Sequence, residues 1–156
     1  MTDRAPENLR IVIVDDEPAN VELLEAVLAK AGYTNVVSTT DSSRAVGLCA
    51  SSPPDLVLLD MHMPPPDGFA VMEQLEPWIE GRWFPILVLT ADVTPELKHR
   101  ALASGARDFL TKPLDHTEVL LRVRNLLEAR LVQLELRREN LALQGRLAER
   151  DDPDPA

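Results

Sequence analysis

The stretch Asp55-Leu56-Val57-Leu58-Leu59-Asp60 decides the fold of this chain. It holds four consecutive apolar residues and lies between a proline pair at residues 53–54 and a proline triplet at residues 64–66. A short apolar run bounded in this way is typical of a fully buried strand in a parallel sheet. The run ends in a carboxylate, and the carboxyl ends of such strands are where open α/β sheets bind their ligands. Taken alone, Asp60 is equally consistent with an aspartate that caps a helix or a turn.

The composition excludes several classes of protein. The chain has 156 residues, a net charge of −10 and a single cysteine, Cys49. That charge argues against direct DNA binding and against binding to an anionic membrane surface, because both require clustered Lys and Arg. One cysteine excludes an internal disulfide and a metal site built from several cysteines. The polar start without a signal peptide, and the lack of an apolar run long enough for a membrane span, predict a cytoplasmic protein with no membrane partner.

Strand and helix patterns alternate along the chain. The predicted strands cover residues 9–14, 35–39, 55–60, 85–90 and 107–111. Helices are predicted between them, with the third ending before a loop at residues 77–82 and the last continuing without a breaker to about residue 149. Strands that alternate with helices form a parallel sheet with helices on both faces. The sequence therefore predicts an α/β protein of (βα)5 type, a doubly wound five-stranded sheet.

Polar side chains follow four of these strands, at the edge of the sheet where parallel strands all end. They are Asp15 and Asp16 after the first, Asp60 in the third, Thr90 in the fourth and Lys112 after the fifth. Carboxylates about 5 Å apart repel one another by roughly 3 kcal/mol per pair at an effective dielectric near 20. A cation removes that repulsion, and oxygen-only ligands favour Mg²⁺. The residues predict a site that places a phosphoryl group on a carboxylate.

At residues 9–126 the chain resembles the receiver domain of two-component response regulators, the chemotaxis-regulator-like fold. The resemblance is carried by six motifs in order: residues 14–18 (Val-Asp-Asp-Glu-Pro), 58–64 (Leu-Leu-Asp-Met-His-Met-Pro), 67–68 (Asp-Gly), 89–91 (Leu-Thr-Ala), 105–106 (Gly-Ala) and 111–113 (Thr-Lys-Pro). Each motif alone is weak, but all six at these spacings are specific. The resemblance implies the strand order 2-1-3-4-5.

The same resemblance assigns roles at the metal and phosphoryl site. Asp60 is expected to be the phosphoacceptor for a sensor histidine kinase. Asp15 and Asp16 are expected to hold Mg²⁺ together with Asp60 and the backbone carbonyl of His62. These roles imply a signalling protein that catalyses only its own phosphorylation and dephosphorylation.

Three further residues are expected to complete the switch. Thr90 matches the switch hydroxyl that moves toward the phosphoryl group, and Lys112 matches the lysine that pairs with a phosphoryl oxygen. Phe109 matches the switch aromatic, although a plain core position is the alternative. The bond before Pro113 is expected to be cis, as in the family.

The last helix is longer than a receiver needs. We predict a tail at residues 1–8, a receiver at 9–126, a C-terminal coiled-coil helix at 127–149 and a disordered acidic tail at 150–156. Leucines and one asparagine form two stripes on that helix, one at residues 127, 131, 134 and 141 and one at 136, 140, 143 and 147. The stripes predict a parallel homodimer, and the alternative is a helix that folds back or frays.

These patterns predict a two-component response regulator that signals through a conformational change and a dimeric C-terminal helix. One alternative is a receiver fragment of a larger regulator with a cyclic-di-GMP phosphodiesterase or cyclase as its output domain. A second is a phosphatase of the haloacid-dehalogenase type, but that class needs an aspartate two residues after the nucleophile, where His62 stands.

Overall fold

A computed structural model describes residues 5–81 and 84–151 of the chain. Its strands are β1 (Ile11–Val14), β2 (Val36–Thr39), β3 (Leu56–Asp60), β4 (Ile86–Thr90) and β5 (Asp108–Thr111). Its helices are α1 (Pro18–Lys30), α2 (Ala45–Ser51), α3 (Gly68–Gly81), α4 (Pro95–Ala103) and α5 (His116–Asp151). Short 3₁₀ turns cover Pro6–Asn8 and Ser42–Arg44. Residues 152–156 of the predicted disordered tail lie outside the described residues.

The five strands form one parallel sheet in the order β2-β1-β3-β4-β5, which confirms the predicted fold class and strand order. The register pairs Ile11 with Leu56 and Val57 with Ile86, and it places Asp60 beside Leu89. Thr90 at the end of β4 pairs with Thr111 at the end of β5. The strand ends that carry polar residues therefore share one edge of the sheet.

Side chains of the central strands enter two separate cores, one on each face of the sheet. In β3, Val57 and Leu59 pack into the core beneath α2 and α3, while Leu56 and Leu58 pack into the core beneath α1 and α5. All four are fully buried. This two-sided burial explains why the strand has a continuous apolar run rather than an alternating pattern.

Helix α3 is longer than its sequence pattern indicates. Pro77 was expected to open a loop, but it lies inside the helix, which continues to Gly81. Proline lacks an N–H, so one hydrogen bond of that turn is lost. The prediction of a loop at residues 77–82 is therefore wrong up to residue 81, and residue 82 lies outside the described residues.

Helix α5 spans 36 residues, and only its first half packs on the sheet. Val119, Val123 and Leu127 are fully buried, and Leu131 and Leu134 pack at the margin of the same core. Every residue of 135–150 is exposed. The core contacts of α5 thus continue about two turns past residue 126, the predicted end of the receiver.

Candidate functional site

Three carboxylates and one ammonium group meet at the carboxyl edge of the sheet. Asp15 follows β1, Asp60 ends β3 and Lys112 follows β5, so the parallel strand order brings them together. Carboxylate oxygens of Asp15, Asp16 and Asp60 all lie within 4.8 Å of one another. Lys112 Nζ lies 3.2 Å from Asp15 Oδ2 and 3.2 Å from Asp60 Oδ1. Four of the five polar residues that the sequence placed at this edge are therefore neighbours in space.

Backbone N–H groups two residues further along the chain orient two of the carboxylates. The N–H of Glu17 donates to Asp15 Oδ1 at 3.0 Å, and the N–H of His62 donates to Asp60 Oδ1 at 3.3 Å. Asp60 is only 2% exposed, and its Oδ2 accepts no hydrogen bond from any described residue. A buried carboxylate oxygen without a hydrogen-bond donor favours coordination of a cation. The oxygen-only donor set and the exposed Asp16 beside it fit a hydrated Mg²⁺ ion.

Burial and neighbouring charge act together on the ionisation of this cluster. Burial, followed by the negative charge of Asp15, raises the pKa of Asp60 to about 6 despite the opposing effect of Lys112. Burial by itself lowers the pKa of Lys112, but Asp15 and Asp60 outweigh it and raise that pKa above its usual value. Lys112 is therefore a permanent cation at neutral pH, and the acidic cluster carries charge that it does not fully neutralise.

Thr90 ends strand β4 and Phe109 lies in strand β5, on the same side of Asp60 in the strand order. The buried Thr90 hydroxyl accepts the N–H of Asp92 at 3.0 Å and donates to the Asp92 carbonyl at 3.3 Å. The partly buried Phe109 packs against the core on the α3 side of the sheet. The Lys112–Pro113 peptide is cis, as the resemblance implies. The switch roles of Thr90 and Phe109 remain predictions.

Gly68 has a structural role in the loop after Asp60 that its sequence motif did not reveal. Its N–H donates to the Met61 carbonyl at 3.1 Å, which closes the loop between Asp60 and α3. A Cβ at this position would lie 2.6 Å from Met61 Cα and 2.7 Å from the Asp60 carbonyl oxygen. Only glycine permits so close an approach of the two backbones. The signal available in the sequence was the Asp67-Gly68 pair itself.

Comparison with known proteins places this site in a family. The response regulator receiver domain matches residues 11–124. Response regulator PleD of Caulobacter vibrioides is 43% identical over 128 residues, which are 82% of this chain and 28% of that protein. The DNA-binding dual master transcriptional regulator RpaA of Synechocystis is 41% identical over 118 residues, 76% of this chain and 48% of that protein. The chain thus spans less than half the length of these two relatives.

Solved structures agree with this match. The chemotaxis protein CheY4 of Vibrio cholerae superposes with a TM-score of 0.71 at 26% identity, covering 76% of this chain and 98% of that one. No helix among the described residues is long and apolar enough to span a bilayer. Together with the acidic cluster beside Lys112, the matches show that this chain belongs to the response regulator receiver domain family.

Proposed function

We propose that this chain accepts a phosphoryl group from a sensor histidine kinase on Asp60 and transmits the change through helix α5. The observation that carries the proposal is the position of Lys112, whose Nζ lies 3.2 Å from both Asp15 and Asp60. A fixed cation beside a buried carboxylate lies where the negative oxygens of an incoming phosphoryl group need stabilisation.

In the proposed transfer, a carboxylate oxygen of Asp60 attacks the phosphorus of a phosphohistidine. The O–P bond forms as the N–P bond breaks, and the bonding pair leaves with the histidine nitrogen. Lys112 stabilises the phosphoryl oxygens, and the backbone N–H of His62 keeps the carboxylate oriented. Asp15, Asp16, Asp60 and the His62 carbonyl are the groups proposed to hold Mg²⁺. When bound, Mg²⁺ supplies positive charge to the acidic cluster and to the phosphoryl oxygens.

Thr90 and Phe109 are the proposed switch residues. The phosphoryl group adds about 1.5 to 2 negative charges and new acceptor oxygens. We expect the Thr90 hydroxyl to exchange its bond to the Asp92 carbonyl for one to a phosphoryl oxygen. We expect movement of Thr90 toward the site to open space for Phe109, which lies on the neighbouring strand β5 and packs at the margin of the core. The result is a change at the face formed by α4, β5 and α5.

The proposed output is a homodimer that forms through α5. Support comes from four apolar side chains beyond the core contacts that are more than half exposed, at residues 136, 141, 143 and 147. Of the two predicted stripes, the first is largely occupied by contacts of Leu127, Leu131 and Leu134 with the chain's own core. The second stripe, from Leu136 to Leu147, stays available for a partner.

A second candidate is that the chain acts as the receiver of a larger regulator with a cyclic-di-GMP phosphodiesterase or cyclase as its output domain. The observation that favours a larger regulator is the 28% share of response regulator PleD that this chain matches. In either candidate, the phosphoryl-accepting role of the receiver is the same.

The test is phosphorylation of the purified chain with radiolabelled acetyl phosphate and Mg²⁺. We expect the chain to incorporate label that hydroxylamine releases, as it does from an acyl phosphate. No label should be incorporated when Mg²⁺ is chelated before acetyl phosphate is added. Asp60→Asn should abolish labelling. Asp67→Asn is the matched control, because this exposed residue caps α3 through Ala70 and asparagine preserves that role. Equal labelling of the two variants would refute the assignment of Asp60.

A further inference from the structure

The solvent face of α5 carries a stripe of mostly apolar side chains that starts inside the receiver. Its large side chains are about half exposed: Leu121 48%, Val132 57%, Leu136 55%, Leu143 56% and Leu147 57%. The exposed residues Asn125, Ala129 and Asn140 complete the stripe. We name this set the α5 seam; it comprises residues 121, 125, 129, 132, 136, 140, 143 and 147.

Buried contacts on the opposite side of α5 keep the seam facing solvent. Val123 and Leu127 are buried in the core of the receiver. One turn further, Arg130 Nε donates to Asp55 Oδ1 at 3.2 Å, and both residues are almost fully buried. The second oxygen of Asp55 accepts the N–H of Arg10 at 2.9 Å. These contacts fix the rotation of α5 about its axis, so the seam cannot turn inward to find cover on its own receiver.

The spacing within the seam is a regular 11-residue repeat. Successive positions are separated by 4, 4, 3, 4, 4, 3 and 4 residues, so Leu121, Val132 and Leu143 are equivalent. Eleven residues over three turns give 3.67 residues per turn, close to the 3.6 of a straight helix and typical of a slightly right-handed pair. A seven-residue repeat would instead impose a left-handed supercoil. The apolar surface therefore stays on one side of α5 for about 40 Å.

We propose that a second copy of this chain covers the α5 seam, with the two α5 helices parallel and in register from Leu121 to Leu147. This proposal rests on the proposed dimer and specifies its interface. It differs from a coiled coil confined to residues 127–149, because contact begins in the receiver and holds the two receivers side by side. The paired helices are then almost straight.

Pairing with an identical helix matches every position of the seam. In a parallel, in-register pair each residue meets its own copy, so leucine meets leucine, and Asn125 and Asn140 each meet an asparagine with which they exchange hydrogen bonds. An antiparallel pair that joined Asn125 to Asn140 would place Leu147 beside Glu118. The self-complementary layers therefore favour a parallel second copy over an antiparallel one or an unrelated helix.

The charges beside the seam are compatible with this arrangement. In a parallel pair, one flank of each helix faces the opposite flank of its partner. One flank carries residues 128, 139 and 150 (Glu, Glu, Arg), and the other carries residues 122, 133 and 144 (Arg, Gln, Gln). Glutamates on one copy thus lie opposite glutamines on the other, without an acid facing an acid.

Disulfide formation at single introduced cysteines tests the seam. The variants are Leu121→Cys and Leu143→Cys, with Ala142→Cys as a control on a different side of the same helix. All three positions are exposed, so the substitutions leave the fold intact. The native Cys49 is buried and stays in place. Under mild oxidation with copper phenanthroline, we expect both seam variants to form covalent dimer roughly tenfold faster than the control, because only they hold paired thiols close together.

The outcomes separate this proposal from the proposed function. Rapid cross-linking of Leu143→Cys alone would overturn a seam that begins in the receiver. Slow cross-linking of both single variants, with rapid cross-linking of a variant that carries Leu121→Cys and Leu143→Cys together, would indicate an antiparallel pair and overturn the parallel register. A chain that is monomeric by light scattering and cross-links at equal rates through all three introduced cysteines would overturn the proposed seam. Each variant and the wild-type chain are also treated with labelled acetyl phosphate. A wild-type chain that incorporates no label would count against the proposed function instead.

Discussion

Arg130 Nε lies 3.2 Å from Asp55 Oδ1, and this ion pair joins helix α5 to the start of the strand that ends in Asp60. The side chains of Arg130 and Asp55 are 8% and 4% exposed. Strand β3 therefore has the proposed phosphoacceptor at its carboxyl end and the anchor of the last helix next to its amino end. The anchor lies at the edge of the sheet opposite the site, so the helix is held at a point remote from the chemistry.

Removing Arg130 should destabilise the receiver. Arg130→Met removes the guanidinium that pairs with the buried Asp55 carboxylate, and breaking a buried ion pair costs about 3 kcal/mol or more. Urea unfolding followed by circular dichroism measures the change. Arg138→Met is the control, since Arg138 is exposed on the same helix and its loss should alter the free energy of unfolding by less than about 0.5 kcal/mol. Equal effects of the two variants would show that the anchor contributes nothing specific.

The raised pKa of Asp60 predicts how stability depends on pH when metal is absent. Its folded-state pKa is about 6, above the ordinary 3.8, so between about pH 4 and 6 the folded state binds more protons than the unfolded state. The unfolding free energy contributed by this group therefore falls as pH rises through that window. With a chelator present at pH 7, Asp60→Asn should be more stable than the wild type by on the order of 1–3 kcal/mol.

That advantage of Asp60→Asn should shrink as the pH falls toward 4, because the wild-type carboxyl group becomes neutral as well. Denaturant titrations at several pH values measure it, with the exposed Asp67→Asn as the control. An advantage that stays constant with pH would mean that the effect comes from packing rather than from ionisation.

Gly68→Ala should distort the loop that follows Asp60. The added methyl group would overlap the backbone of Met61 and Asp60 at 2.6–2.7 Å, and backbone atoms cannot move away without displacing the loop. We expect a loss of about 1–3 kcal/mol in unfolding free energy and slower labelling of Asp60 by acetyl phosphate. Gly47→Ala is the control within a helix, because a Cβ there meets no atom within 4 Å. It should leave labelling unchanged and raise stability by up to about 1 kcal/mol.

Cys49 should resist alkylation in the folded protein. Its thiol is buried, and that burial raises its pKa to about 11, so very little thiolate exists at pH 8. Iodoacetamide should modify it only after unfolding in urea, as mass spectrometry would show. Rapid modification of the native protein would reveal that α2 opens locally, which would also invalidate Cys49 as a silent residue in the cross-linking test.

Sequence patterns alone predicted the α/β fold class and the meeting of several polar residues at one edge of the sheet. The apolar runs that end in Asp15, Asp60 and Thr90 require burial on both faces, and a parallel sheet then brings their polar ends together. The identity of the site residues followed because the chemistry of each side chain is local to its position. The end of α3 was predicted less well, because proline by local propensity stops a helix, whereas Pro77 lies inside a helix that continues to Gly81.

Tertiary structure decided which face of the last helix is free. In the sequence, Leu127, Leu131 and Leu134 look as available to a partner as Leu136 and Leu143, because helical periodicity records an apolar stripe but not what covers it. Packing on the core beneath α5 buries the first set, and the Arg130–Asp55 pair sets the rotation of the helix. Residues 75 positions apart form that pair, so their proximity depends on the completed sheet and not on any local pattern.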